Sequence, residues 1–162
     1  MELRHALGGE VRASGALTLS GLALPWGEVA HPPAVPEPER FRRGAFGDLA
    51  SVDAILNRQH ERGSPLARTG GGGLVLEDGD DGLRLRAHLP DTAEARDTVA
   101  LVRAGVLRGL SVEFTVRREE RENGVRTIAG ATLYGVAVVD SGAYQGASVE
   151  ARHALRRVAV WL

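Results

Sequence analysis

Alternation of apolar and polar side chains dominates this 162-residue chain. Residues 16–24, ALTLSGLAL, read as a strand that follows a weaker one at 2–7. Two alternating arms in GLVLEDGDDGLRLRAHL, 73–89, are joined by an acidic, glycine-bearing turn and predict a hairpin. At 110–116, Leu110, Val112, Phe114 and Val116 alternate with Ser111, Glu113 and Thr115, the period of a half-buried strand. That pattern turns Ser111 and Glu113 away from the apolar face; Glu113 reads as a solvated acid, with lining a groove beside Ser111 as the other reading. The run RREERENG, 117–124, reads as a solvated hairpin tip closing on Asn123-Gly124, with a return strand over 125–139. VDAILNRQH, 52–60, is best read as a strand, although its pattern alone also fits a short helix.

Helical spacing is confined to one stretch. Ala95, Val99, Val102 and Val106 recur at i, i+4, i+7 and i+11, Asp91 and Glu94 are spaced as a capping box, and Gly105 offers a stop. The helix predicted is about 92–104, with a further helical turn around 45–50. Five of the seven prolines fall in 25–38, which predicts an irregular exposed loop. The glycines of TGGGG, 69–73, predict flexibility. Beyond Asp140 the chain reads as a loop and then a helix or strand. No internal repeat is present. The fold class expected is mainly β with helices (α+β), a closed or nearly closed sheet with helices around it, in one domain over 1–162.

Composition narrows the functions. The 20 basic residues are all arginine and are scattered, and net charge is −1, against the clustered basic field of a nucleic-acid surface. Cysteine is absent, which excludes disulfides, thiolate nucleophiles and zinc–cysteine sites. No apolar run approaches membrane-spanning length and no signal-peptide stretch opens the chain, so the compartment expected is the cytosol. Neither HExxH nor an EF-hand loop occurs, EDGDDG (77–82) lacks spaced oxygen ligands, and the GGGG at 70–73 lacks the Lys-Ser/Thr of a phosphate loop. No metal or cofactor is expected.

Of five histidines, His5, His31, His88 and His153 read as surface residues. His60 differs because it ends an apolar strand where a turn begins, a place where functional groups gather. Serine chemistry lacks its commonest sign, since GxSxG occurs nowhere, and this also weighs against a small-molecule hydrolase. If Ser111 is a nucleophile, its fold presents serine from a strand.

Three segments in order and spacing, NRQHERGSPLAR, GVLRGLSVEFTV and LYGVAVVDSGAYQGASVEAR, resemble the signature segments of the prohead (capsid maturation) proteases of tailed phages. ERFRRGAFGD, upstream, fits the same family, and the resemblance covers about residues 16–152. It implies a small β-barrel wrapped by helices, like the herpesvirus assemblin proteases. It places the histidine at His60, the nucleophile at Ser111 and the third member at Asp140, with backbone amides near Gly142 and Ala143 forming the oxyanion site. It also implies a serine endopeptidase acting in assembling proheads of the bacterial host. Its substrates would be scaffold, the scaffold-like N-terminal arm of the major capsid protein, and the protease itself. The herpesvirus relatives work as dimers, which leaves a homodimer open here, with VAVWL (158–162) as an interface strand, a core strand or a trimmed tail. Partners among nucleic acids or membranes are not implied. The sequence departs from the family where a Glu and a Ser are common on the strand after the serine: Gly135 and Ala137 stand there, and Gly142-Ala143 replaces Pro-Ala. The departures favour the alternative of a non-catalytic assembly or scaffold-binding domain that keeps the protease fold.

Overall fold

A computed structural model describes residues 2–4, 10–14, 17–32 and 35–140. Ten strands and one α-helix are formed among the described residues. Strands β1 (Glu2–Arg4), β4 (Glu39–Phe41), β5 (Ile55–Arg58), β6 (Glu61–Arg68), β9 (Gly109–Glu122) and β10 (Val125–Val139) make one sheet. Strands β2 (Glu10–Ser14), β3 (Thr18–Pro25), β7 (Leu74–Asp78) and β8 (Gly82–His88) make the other, in the order β2-β3-β8-β7.

The larger sheet runs β1-β9-β10-β5-β6, with β4 also paired to β10. β10 is therefore its axis. One edge of β10 lies antiparallel along β9, while the other takes β4 opposite Arg126–Ile128 and β5 opposite Gly135–Val138, both parallel. The β9–β10 connection is two residues, Asn123 and Gly124, both with positive φ, as a type I′ turn requires. The predicted charged tip is thus mostly strand: β9 continues to Glu122, paired all the way with β10.

The inward face explains why these strands assemble. Leu110, Val112 and Phe114 of β9, Val136 and Val138 of β10, and Leu56 of β5 are fully buried. Burial of such side chains stabilises by roughly 1.5–3 kcal/mol each relative to exposure. Phe114 meets Phe41 of β4 edge-on at 5.0 Å, and Phe41 stacks on Phe46 at 5.7 Å, tying the turn after β4 to the sheet. Toward the hairpin end, the guanidinium of Arg126 donates to Glu119 at 2.6 Å and to the buried Glu39 at 3.3 Å.

Helix α1 (Ala93–Arg103) packs Ala95, Thr98, Val99 and Val102 inward. Its N-cap is Thr92, which accepts from the amide of Ala95, one residue later than the Asp91/Glu94 box predicts; Asp91 instead pairs with Arg96. The helical turn expected at 45–50 is a single 3₁₀ turn, Leu49–Ser51.

The architecture corrects one expectation. Among the described residues, two sheets and one α-helix stand where a closed barrel wrapped by helices was expected, and no closed barrel occurs. No helix among them is long and apolar enough to cross a membrane.

Candidate active site

Three strands bring the chemistry together on the face of the larger sheet opposite the apolar one. Register sets Ser111 of β9 opposite Ala137 of β10, which lies opposite Asn57 of β5. The next row along the same face is Glu113, Gly135 and Ile55. Two inter-strand steps separate Ser111 from Asn57, roughly 10 Å at about 4.8 Å each. The middle positions are small, so side chains from β9 and from the end of β5 can meet above β10.

A bulge makes those middle positions small. Leu133 pairs with Phe114 and Gly135 with Glu113, so Tyr134 is one residue too many and is pushed outward. Gly135 then answers a steric need. A Cβ there would lie 2.9 Å from Glu113 Oε2 and 3.0 Å from the carbonyl of Ile55. The carboxylate of Glu113 rests in the space that a side chain at 135 would take.

His60 arrives on a strained hairpin turn. The parallel ladder to β10 extends by one bond beyond β5, from Gln59 N–H to Val138 O at 2.9 Å, and the chain then reverses into β6. Arg58 pairs with Glu61 across the turn, and the two residues between, Gln59 and His60, have φ of 53° and 62°. Both values belong to the left-handed region that Asn and Gly occupy in type I′ turns, at a cost of order 1–3 kcal/mol for other residues. Arg58 anchors the turn from below with an ion pair to Glu94 of α1 at 2.8 Å.

The ring of His60 bridges the two rows. Nδ1 lies 2.8 Å from Glu113 Oε1, and Nε2 lies 2.8 Å from Ser111 Oγ. An ionised carboxylate only accepts, so Nδ1 carries the proton in the neutral ring, and the lone pair on Nε2 accepts the Ser111 hydroxyl. Asn57 Nδ2 donates to the same Glu113 Oε1 at 2.9 Å. Ser111 is 0% exposed, Glu113 4% and Asn57 2%, while the His60 side chain keeps 13%. In such a low-dielectric setting each of these bonds is stronger than in water, and each is costly to leave unmade. Chemically, the row is a hydroxyl whose proton has a base to go to, and a base whose resulting positive charge has a carboxylate to meet.

The structure brings Ser111 and His60 side by side across 51 positions of chain. It also corrects two sequence expectations. The carboxylate on Nδ1 is Glu113, not Asp140, which lies exposed one residue past β10. Nor are Ser111 and Glu113 turned to solvent, because the second face of β9 is covered as fully as the first. Gly142 and Ala143 lie outside the described residues, as does VAVWL. Sequence reasoning missed Asn57, and it missed Glu113 as the partner of His60. The signal that could have found Glu113 was the pair of small residues Gly135 and Ala137, two apart, beside a strand carrying Ser-x-Glu. That departure from the family pattern now has a local explanation: the acid absent at 135 is matched by one reaching over it from β9.

A search of curated proteins and another of solved structures found nothing that matches this chain. The family model for the caudovirus prohead serine protease matches residues 8–159. The chain therefore belongs to the prohead serine protease family of tailed phages, the proteases of capsid maturation.

Proposed function

We propose that this protein is a serine endopeptidase in which Ser111 is the nucleophile, His60 the general acid–base and Glu113 the carboxylate that orients it. The single observation that carries the reading is the unbroken hydrogen-bonded row Glu113–His60–Ser111, with 2.8 Å at both ring nitrogens. As Ser111 Oγ bonds to the carbonyl carbon of a peptide, its proton passes to His60 Nε2. Glu113 holds the ring in the tautomer that can accept and stabilises the imidazolium formed. The C–N bond then breaks, and His60 returns the proton to the departing amine. Water, deprotonated by the same nitrogen, releases the acyl group and restores the hydroxyl. Amides that follow β10, at Gly142 and Ala143, are the proposed donors to the tetrahedral oxyanion, each contributing about 3 kcal/mol to the transition state.

The substrates proposed are scaffold, the scaffold-like N-terminal arm of the major capsid protein and the protease itself, cut inside the assembling prohead. Since Ser111 is fully buried, a substrate carbonyl reaches it only when the surrounding chain gives way. The alternative of a non-catalytic scaffold-binding domain drew its support from Gly135 and Ala137. Glu113 over Gly135 removes that support, because the histidine is not left without an acid.

Ser111→Ala tests the reading. The variant is expected to fold, to leave a co-expressed capsid precursor uncut, and to resist labelling by a fluorophosphonate. Processing at the wild-type rate by Ser111→Ala would remove Ser111 from the mechanism.

A further inference from the structure

Asn57 is an amide where packing alone would favour a hydrocarbon. It is 2% exposed, and its Oδ1 is buried without a hydrogen-bond partner among the described residues. An amide oxygen stranded in this way destabilises a fold, and a valine at the same strand position would carry no such penalty. The useful half is the other end. Nδ2 donates at 2.9 Å to Glu113 Oε1, the oxygen that also receives His60 Nδ1–H at 2.8 Å. Reversing the amide would press its oxygen against the carboxylate, two acceptors in contact, so the donor orientation is dictated by Glu113.

We propose that Asn57 is a positioning residue of the peptidase site: it pins the Glu113 carboxylate at the rotation that meets Nδ1, and so aims the imidazole at Ser111. The inference rests on the proposed peptidase reading. Rotation about the last torsion of a glutamate is broad and soft. Gly135, beneath the carboxylate, contributes no side chain to hold its rotation. With two donors converging on Oε1 from fixed backbones, one rotation is selected. Without Nδ2, only the bond to the ring itself restrains the acid, and the ring loses a fixed reference.

The rate of fluorophosphonate labelling at Ser111, measured with the purified full chain alongside thermal unfolding, tests this role. Asn57→Val is expected to slow labelling about tenfold, the usual scale for a lost bond to a charged group. Its unfolding temperature should change little, because the bond lost to the buried Glu113 and the removal of the stranded oxygen act in opposite directions. In a Glu113→Ala background the same change should alter labelling less than about twofold, since Asn57 acts only through that acid. Asn57→Ala carries the comparison if the valine does not fold. Wild-type labelling in Asn57→Val, or a tenfold loss that persists without Glu113, would overturn the role. Labelling that survives Ser111→Ala would instead overturn the serine assignment, so the two failures are distinguishable.

Discussion

One methyl group added at Gly135 should slow the site by about an order of magnitude while leaving the chain folded. An ideal Cβ at 135 falls 2.9 Å from Glu113 Oε2 and 3.3 Å from its Cδ, against the 3.4 Å at which ordinary contact begins. The carboxylate must therefore retreat by about 0.5 Å, the difference between those distances. It cannot do so freely, because Oε1 is held by Asn57 and His60. A retreat away from the ring lengthens the 2.8 Å bond to Nδ1 toward 3.3 Å, past the usual hydrogen-bond range of about 2.7–3.2 Å. Because a misplacement of about 1 Å costs on the order of a hundredfold in rate, half of that predicts roughly tenfold. The same Cβ meets the carbonyl of Ile55 at 3.0 Å, and that backbone cannot swing aside alone. Overpacking of this kind costs about 1–3 kcal/mol, or roughly 2–4 °C per kcal/mol for a chain of this size. Fluorophosphonate labelling and thermal melting of Gly135→Ala measure the two effects together. A labelling rate within twofold of wild type, in a variant whose melting shows the added strain, would refute the claim that the seat of Glu113 governs the histidine.

Two further outcomes follow from the turn and the hairpin arm. Gln59→Asn places an αL-tolerant residue at φ 53° while keeping the backbone hydrogen bond from N–H of residue 59 to the carbonyl of Val138, so stability should rise by about 0.5–1 kcal/mol with labelling unchanged; a lower melting temperature would show that the turn is not strained at that residue. The bond from Arg126 holds the Glu119 carboxyl below its ordinary value of 4.5, with the charges of Arg126 and Arg121 adding to it. A depressed native value means that the contribution is complete above pH 4.5 and fades as pH falls through the lower native value. The melting advantage of wild type over Glu119→Gln should accordingly be present at pH 6 and shrink as pH is taken progressively below 4.5, and an advantage that does not change with pH would contradict the assignment.

Much of the fold was legible because local pattern and local structure agree. The 73–89 hairpin, the helix and the serine strand each follow from one period, and each forms. His60 was legible as a strand-end residue. What misled was the inference from alternation to solvent. Ser111, Glu113 and Thr115 read as a wet face, but alternation says only which residues share a face, and not what covers it. Covering comes from distant chain, here the β5–β6 turn, which no strand encodes. β6 was hidden for a related reason: Glu61-Arg62-Gly63 reads as a turn and Pro65 follows it, yet the strand lies at the edge of its sheet, where a proline's missing donor breaks no ladder. The barrel expectation came from the family resemblance and from strand number. Neither carries the register information that decides whether edges meet.

The placement of the acid shows how a site can depend on a counting rule in a neighbouring strand. Leu133 and Val136 are both buried on the apolar side of β10, although three positions apart in a structure whose faces alternate every second residue. Both can face inward only if one residue between them is taken out of register, and Tyr134 is that residue. From there to the end of the strand, odd positions lie on the face of Ser111, and those beside Glu113 and Ser111 are Gly135 and Ala137, with Val139 closing the strand opposite Gly109. An unbulged β10 pairing Phe114 with Leu133 would set Tyr134 opposite Glu113, and its ring would fill the space the carboxylate now occupies. The apolar side of β10 thus dictates the bulge, and the bulge clears the polar side, so that an acid from β9 reaches a histidine delivered by β5. Packing on one face of the sheet opens the space on the other in which Glu113 and His60 meet.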